Sequence, residues 1–265
     1  MFNFSDLCIE RPLGSPGNER LLSLLKEELP SPGFALISRR FRCASWSRGS
    51  SFLRQGGRKL EILPSPFSRG FSGEAPVRLA SNMQELEAAA SEAAGGLLLL
   101  GGELTREPLM PRDFPVYFPE EHRAFYRALE RARPSCALAL TGKHALSGMD
   151  PFPLFEDGSM SIPSAYCAPG GILERLDLDR PAEVSIDSRV GQTSSEQLVF
   201  EKPGKSAERI VLCAHMDSKY GSPGALDNAA GLYALVKAAQ RMRGERFRHS
   251  LDIVPFNGEK HYGIT

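Results

Sequence analysis

The chain has 265 residues, 42% of them hydrophobic and 24% charged, with 32 Lys+Arg balancing 32 Asp+Glu. At about 150 residues per domain this allows one large domain or two small ones, with a sizeable core. Zero net charge removes whole-chain attraction to nucleic acid or an anionic membrane, and no apolar run approaches the roughly 18 residues of a membrane span. The start at Met1 lacks a basic, apolar leader pattern, and Cys8, Cys43, Cys136, Cys167 and Cys213 are scattered with no C-x-x-C spacing. The expectation is a cytoplasmic protein with neither a disulfide framework nor a thiolate zinc site.

In chain order, a turn-rich segment at 11–18 leads into an amphipathic helix near 19–29, with Leu21, Leu22, Leu25 and Leu29 on one side. Pro30 and Pro32 stop it, and 34–41 reads as a strand. Residues 57–166 have a different texture. An Ala/Glu-rich helix at 83–94, a short buried strand inside 95–102, a helix at 119–133 and a strand at 135–141 predict a small insert. Further strands are expected at 182–188 and 196–200. The apolar run 210–214 reads as a buried strand containing a buried Cys213. A helix at 228–243 and a second buried strand at 250–256 complete a βαβ unit of a mainly parallel sheet.

Ligands in open α/β sheets sit beyond the carboxyl ends of the strands. His215 and Asp217 directly follow the first strand of that unit, Asp227 lies at the helix start, and Glu259 follows the second strand. Taken singly, each has a plain reading: a loop pair, a helix N-cap, a solvated acid. Together, imidazole and carboxylates are a zinc ligand set. Asp217 suits a carboxylate that fixes the imidazole tautomer, Asp227 can bridge two metals, and Glu259 suits a general base on a water.

Three motifs then stand out: Ala214-His215-Met216-Asp217-Ser218, the stretch from Pro223 through Asp227 and Asn228 to Gly231, and the stretch from Phe256 through Glu259 to Gly263. They strongly resemble family twenty-eight of the metallopeptidases, which includes aminopeptidases, glutamate carboxypeptidase, glutaminyl cyclase and transferrin receptor. The segment 11–18 resembles the start of that family's catalytic domain, and 57–166, with Glu156 to Tyr166, is similar to its protease-associated insert. The resemblance implies an α/β three-layer zinc-exopeptidase fold, a mainly parallel mixed sheet flanked by helices, in residues 1–56 plus 167–265, interrupted by a small β/α insert at 57–166. It implies a two-zinc site with His215 as ligand, Asp217 orienting it, Asp227 bridging before an often cis peptide, and Glu259 as general base. The expected activity is exopeptidase, foremost aminopeptidase, on peptide substrates. No nucleic acid or membrane partner is expected, and the oligomeric state is open. A glutaminyl cyclase-like enzyme and a non-catalytic binding module are the alternatives.

Two features depart from the family pattern. The position after the base, normally a zinc-ligating acid, is Lys260, and an ammonium has no lone pair to offer; His261 is the neighbouring candidate. The family's last two ligands lie downstream of the Glu motif, so the expectation is an incomplete site and a sheet lacking its C-terminal part, with 250–256 near an uncovered edge. Among residues 29–60 there is no acid, while Arg39, Arg40, Arg42, Arg48, Arg54, Arg58 and Lys59 interleave with Phe41, Trp46 and Phe52. That segment reads as a solvated basic face. His122, His144 and His249 read as surface or structural.

Overall fold

The computed structural model describes residues 3–29, 33–89, 94–112, 114, 117–145, 147–156, 158, 160–170 and 172–260. Pro30 and Pro32, residues 90–93 of the Ala/Glu-rich helix, and His261 lie outside the described residues. The chain forms two compact units, Met1–Ser45 with Gln192–Thr265, and Trp46–Gly191.

In the first unit, Ser15 caps α1 (Pro16–Glu28) by accepting from the Asn18 N–H, with Pro16 at the first helical position, where its missing donor costs nothing. A four-stranded sheet follows in the order β1-β10-β12-β11, from β1 (Ala35–Arg48), β10 (Ser188–Lys202), β11 (Arg209–His215) and β12 (Ser250–Phe256). α5 (Ala230–Arg241) connects β11 to β12, and these two strands run parallel from Arg209↔Ser250 to His215↔Phe256. The βαβ unit is therefore present. β12 also pairs antiparallel with β10, so the sheet is mixed, as expected.

Burial follows the pairing. Leu21, Leu22 and Leu25 of α1, Leu198 and Phe200 of β10, Leu232, Leu235 and Val236 of α5, and Leu251 and Ile253 of β12 form one core. The two helices also touch: Gln240 Nε2 donates to Glu28 Oε2 at 3.0 Å, and Arg243 to the Glu28 carbonyl at 2.8 Å.

β12 is paired on both sides and lies one strand in from the edge strand β11. One expectation is corrected here, because β11 is not buried: Leu212 and Ala214 lean on the core, but Ile210 and Val211 are 49% and 54% exposed and Cys213 is exposed. An apolar run reports composition; whether a strand is covered depends on its place in the sheet.

The second unit holds eight strands in the order β4-β9-β2-β3-β8-β7-β6-β5. These are β2 (Ser51–Gln55), β3 (Arg58–Pro64), β4 (Phe71–Ala75), β5 (Val77–Ala80), β6 (Leu97–Leu100), β7 (Cys136–Leu140), β8 (Ser164–Cys167) and β9 (Ala182–Ile186). β5 to β8 pair in parallel and the rest antiparallel. Leu98 and Leu100 point into a core with Leu86 of α2 (Met83–Ala88) and with α3 (Glu120–Ala132), while Leu97 and Leu99 point into a second core with Leu53, Val184 and Ile172 of α4 (Ile172–Arg175). Strand side chains alternate, so a run of four leucines is fully buried only where both faces are covered. The Phe52 ring is faced by Arg54 and Lys59, and His122 and His144 accept from backbone N–H groups at Met110 and Ser147. No described helix is long and apolar enough to cross a membrane.

Candidate active site

The parallel register brings the carboxyl ends of β11 and β12 level, and Met216 N–H continues the ladder to the Phe256 carbonyl at 2.7 Å. Both motif loops therefore leave the sheet at one edge. Asp227 arrives from the turn 225–229 before α5, and its peptide bond to Asn228 is cis.

His215, Asp217, Asp227, Glu259 and Lys260 meet there. His215 Nε2 lies 2.9 Å from Asp227 Oδ1 and 3.7 Å from Glu259 Oε2. On the other side of the ring, Nδ1 lies 3.1 Å from the Asp217 carbonyl oxygen and 3.6 Å from its carboxylate. The Asp217 carboxylate is fully buried and also accepts the Glu259 N–H at 3.2 Å and the Lys260 N–H at 2.8 Å. One side chain thus sits behind the imidazole and ties down the loop that carries Glu259. The Lys260 ammonium lies 2.8 Å from Asp227 Oδ2 and 3.0 Å from Glu259 Oε2.

The charges polarise one another. Burial works to lower the His215 pKa, but its bond to Asp217 and the charge of Glu259 prevail, so it is raised. Burial works to raise Asp227, yet Lys260 and His215 hold it below the usual carboxylate range. Lys260 is likewise lifted above its ordinary value by Asp227 and Glu259 against the effect of burial. A neutral, ligating lysine would need the opposite shift.

Three further residues build the site, and none was singled out from the sequence. Arg11 is fully buried. Its guanidinium donates to the carbonyls of Met216 at 2.6 Å, Ile9 at 3.0 Å, Pro223 at 2.5 Å and Gly224 at 3.0 Å. It thereby clamps both ends of the loop that holds Asp217. Gly224 has φ +54°, and a Cβ there would lie 3.1 Å from the guanidinium. Asn18 of α1 exchanges two hydrogen bonds with Asn257, at 2.9 and 3.1 Å, and Asn257 also donates to Ser195 Oγ at 3.0 Å. This buried amide pair fixes the chain two residues before Glu259. An arginine inside a Pro/Gly turn segment was the one available signal.

The donor set decides what metal fits. His215 Nε2 and Asp227 Oδ1 converge and are the two donors of the set that face one another, and among the described residues no three His, Cys, Asp or Glu side chains group to hold a metal ion. A second zinc does not fit at Asp227 Oδ2, where an ammonium makes the contact.

The model of Peptidase family M28 matches residues 197–263, the stretch from the end of β10 through the Glu259 loop. The resemblance read from the motifs is thus borne out. No curated protein matches the chain. Among solved structures, a zinc aminopeptidase from Bacillus subtilis superposes with a TM-score of 0.71 at 17% identity, over 97% of this chain and 60% of that one. An aminopeptidase from Aneurinibacillus sp. strain AM-1 gives 0.63 at 15% identity, over 98% and 64%. A Peptidase M28 precursor from Shewanella amazonensis SB2B gives 0.65 at 17%, over 97% and 62%. The chain spans about three fifths of the length of these structures. Its fold is the mixed α/β fold of these metallopeptidases.

Proposed function

We propose that this chain, with its Peptidase family M28 stretch at 197–263, is a zinc-dependent exopeptidase acting on free N-termini, with Glu259 as general base. The observation that carries this reading is the meeting of His215, Asp227 and Glu259 within 3.7 Å at the carboxyl ends of two parallel strands. The aminopeptidases among the structural neighbours support the exopeptidase choice. In this reading residues 1–56 plus 167–265 are the zinc-exopeptidase domain of a three-layer fold and 57–166 its protease-associated insert; the insert falls inside the second compact unit, Trp46–Gly191.

Zinc held by His215 Nε2 and Asp227 Oδ1 would supply a Lewis acid for the scissile carbonyl. Asp217 keeps the imidazole turned toward Asp227 by standing behind Nδ1. Glu259 Oε2, 3.7 Å from that imidazole, takes the proton from the attacking water and returns it to the leaving amine. Asp217, by accepting the Glu259 and Lys260 N–H groups, keeps the base on station.

Hydrolysis of aminoacyl p-nitroanilides tests the reading. Activity should need zinc, vanish on N-acetylation of the substrate, and fall about 100- to 10,000-fold in Glu259→Gln. Equal rates on acetylated substrate, or an unaffected variant, would refute it. The ion pairs of Lys260 with Asp227 and Glu259 favour a second reading, a non-catalytic peptidase-like module. A folded, zinc-loaded chain with no hydrolysis would select that one.

A further inference from the structure

We infer that the Lys260 ammonium is a resident cation of this site, standing at Asp227 Oδ2 in place of a second metal. The inference rests on the metal-site reading of His215 and Asp227. Asp227 divides its two oxygens: Oδ1 faces His215 Nε2 at 2.9 Å, and Oδ2 faces Lys260 Nζ at 2.8 Å. The same ammonium lies 3.0 Å from Glu259 Oε2, so one positive charge answers two carboxylates.

This is not a wandering surface lysine. Its side chain is 14% exposed, whereas that of its partner Asp227 is 62% exposed. Its backbone is pinned as well, because Lys260 N–H donates to the buried Asp217 at 2.8 Å. Both ends of the side chain are therefore held, one by Asp217 and the other by Asp227 and Glu259. A divalent ion on Oδ2 would have to displace the ammonium or approach it within bonding distance of the same oxygen. Either event leaves a half-buried like-charge contact or a stranded lysine. The ammonium supplies the positive charge that the paired carboxylates need, without offering a lone pair.

Equilibrium dialysis against zinc, followed by metal analysis, tests this on the whole chain, with far-UV circular dichroism to confirm folding. Lys260→Glu should hold one zinc more than the parent. Lys260→Gln, which removes the charge with little change of size, should bind zinc at least about tenfold tighter, since a unit charge a few ångströms away is lost. His215→Ala should lose the parent's zinc. A parent that binds two zinc ions would overturn the inference. So would failure of both Lys260 variants to gain or tighten zinc, and if Lys260→Glu does not fold, Lys260→Gln decides alone. A parent that binds none, with a Lys260→Glu variant that binds one, would sink the zinc reading of the parent and leave the resident cation standing. A parent zinc lost in His215→Ala with no gain in either Lys260 variant would do the reverse.

Discussion

Replacing Arg11 by Met removes a buried fork that makes four hydrogen bonds to backbone carbonyls at Ile9, Met216, Pro223 and Gly224. Burial lowers the Arg11 pKa, while Cys8, Asp217 and Asp227 pull it back up; a guanidinium keeps its charge in either case. At about 1 kcal/mol net per bond the loss is about 4 kcal/mol. The apolar methionine stem regains about 1 kcal/mol of that by burial. The expected cost of about 3 kcal/mol is a large share of a typical total stability, and it lowers the melting temperature by about 6–12 °C. Arg11→Lys keeps the charge near Asp217 but has three donors on one atom and cannot span carbonyls at both loop ends, so it should fall between the two. Because the clamped loop carries Asp217, zinc affinity should drop about 10- to 100-fold in Arg11→Met. Differential scanning calorimetry gives the stability, and amide exchange at Ser218, whose N–H meets the Arg11 carbonyl, reports on the loop. Arg11→Met costing less than about 1 kcal/mol, with Ser218 exchange unchanged, would refute the clamp.

The remaining two predictions concern pH and the loop backbone. His215 has a folded pKa raised above its ordinary 6.5, so protonated His215 stabilises the metal-free fold below that value. This contribution is lost as pH rises through the folded pKa. Urea titrations of chelator-treated protein should therefore show stability declining from about pH 6.5 upward, and the slope should be absent in His215→Asn. Gly224→Ala should destabilise by more than about 2 kcal/mol, because it combines a left-handed backbone with close contacts. Its Cβ would lie 2.7 Å from the Asp227 carbonyl oxygen and 2.8 Å from Ser218 Cβ. A Gly224→Ala melting temperature equal to the parent's would count against that geometry.

Much of the local architecture was legible in the chain. The helical period of Leu21, Leu22 and Leu25, the apolar run 97–100 and the β11-α5-β12 unit all appear where periodicity places them. The motif residues His215, Asp217, Asp227 and Glu259 could be named because each follows a strand end or opens a helix, positions that one stretch of sequence reveals. The long strands were less legible. β1 runs 14 residues and β10 runs 15, and much of their length is exposed or half-exposed, so no alternation marks them.

Other properties belong to the tertiary structure alone. Whether an apolar strand is buried depends on its neighbours in the sheet, which is why β11, with Cys213, is exposed while β12 is enclosed. The clamp of Arg11 on residues 216–224 and the Asn18–Asn257 pair join groups more than 200 positions apart, and local pattern carries no trace of such pairings. The part played by Lys260 is of the same kind. Its residue type excluded a ligand, but only the folded arrangement puts its ammonium between Asp227 and Glu259. Sequence determined which chemical groups are available and which local elements carry them. Long-range packing decided which groups meet and how their charges pair, because those energies arise from distances that local sequence does not set.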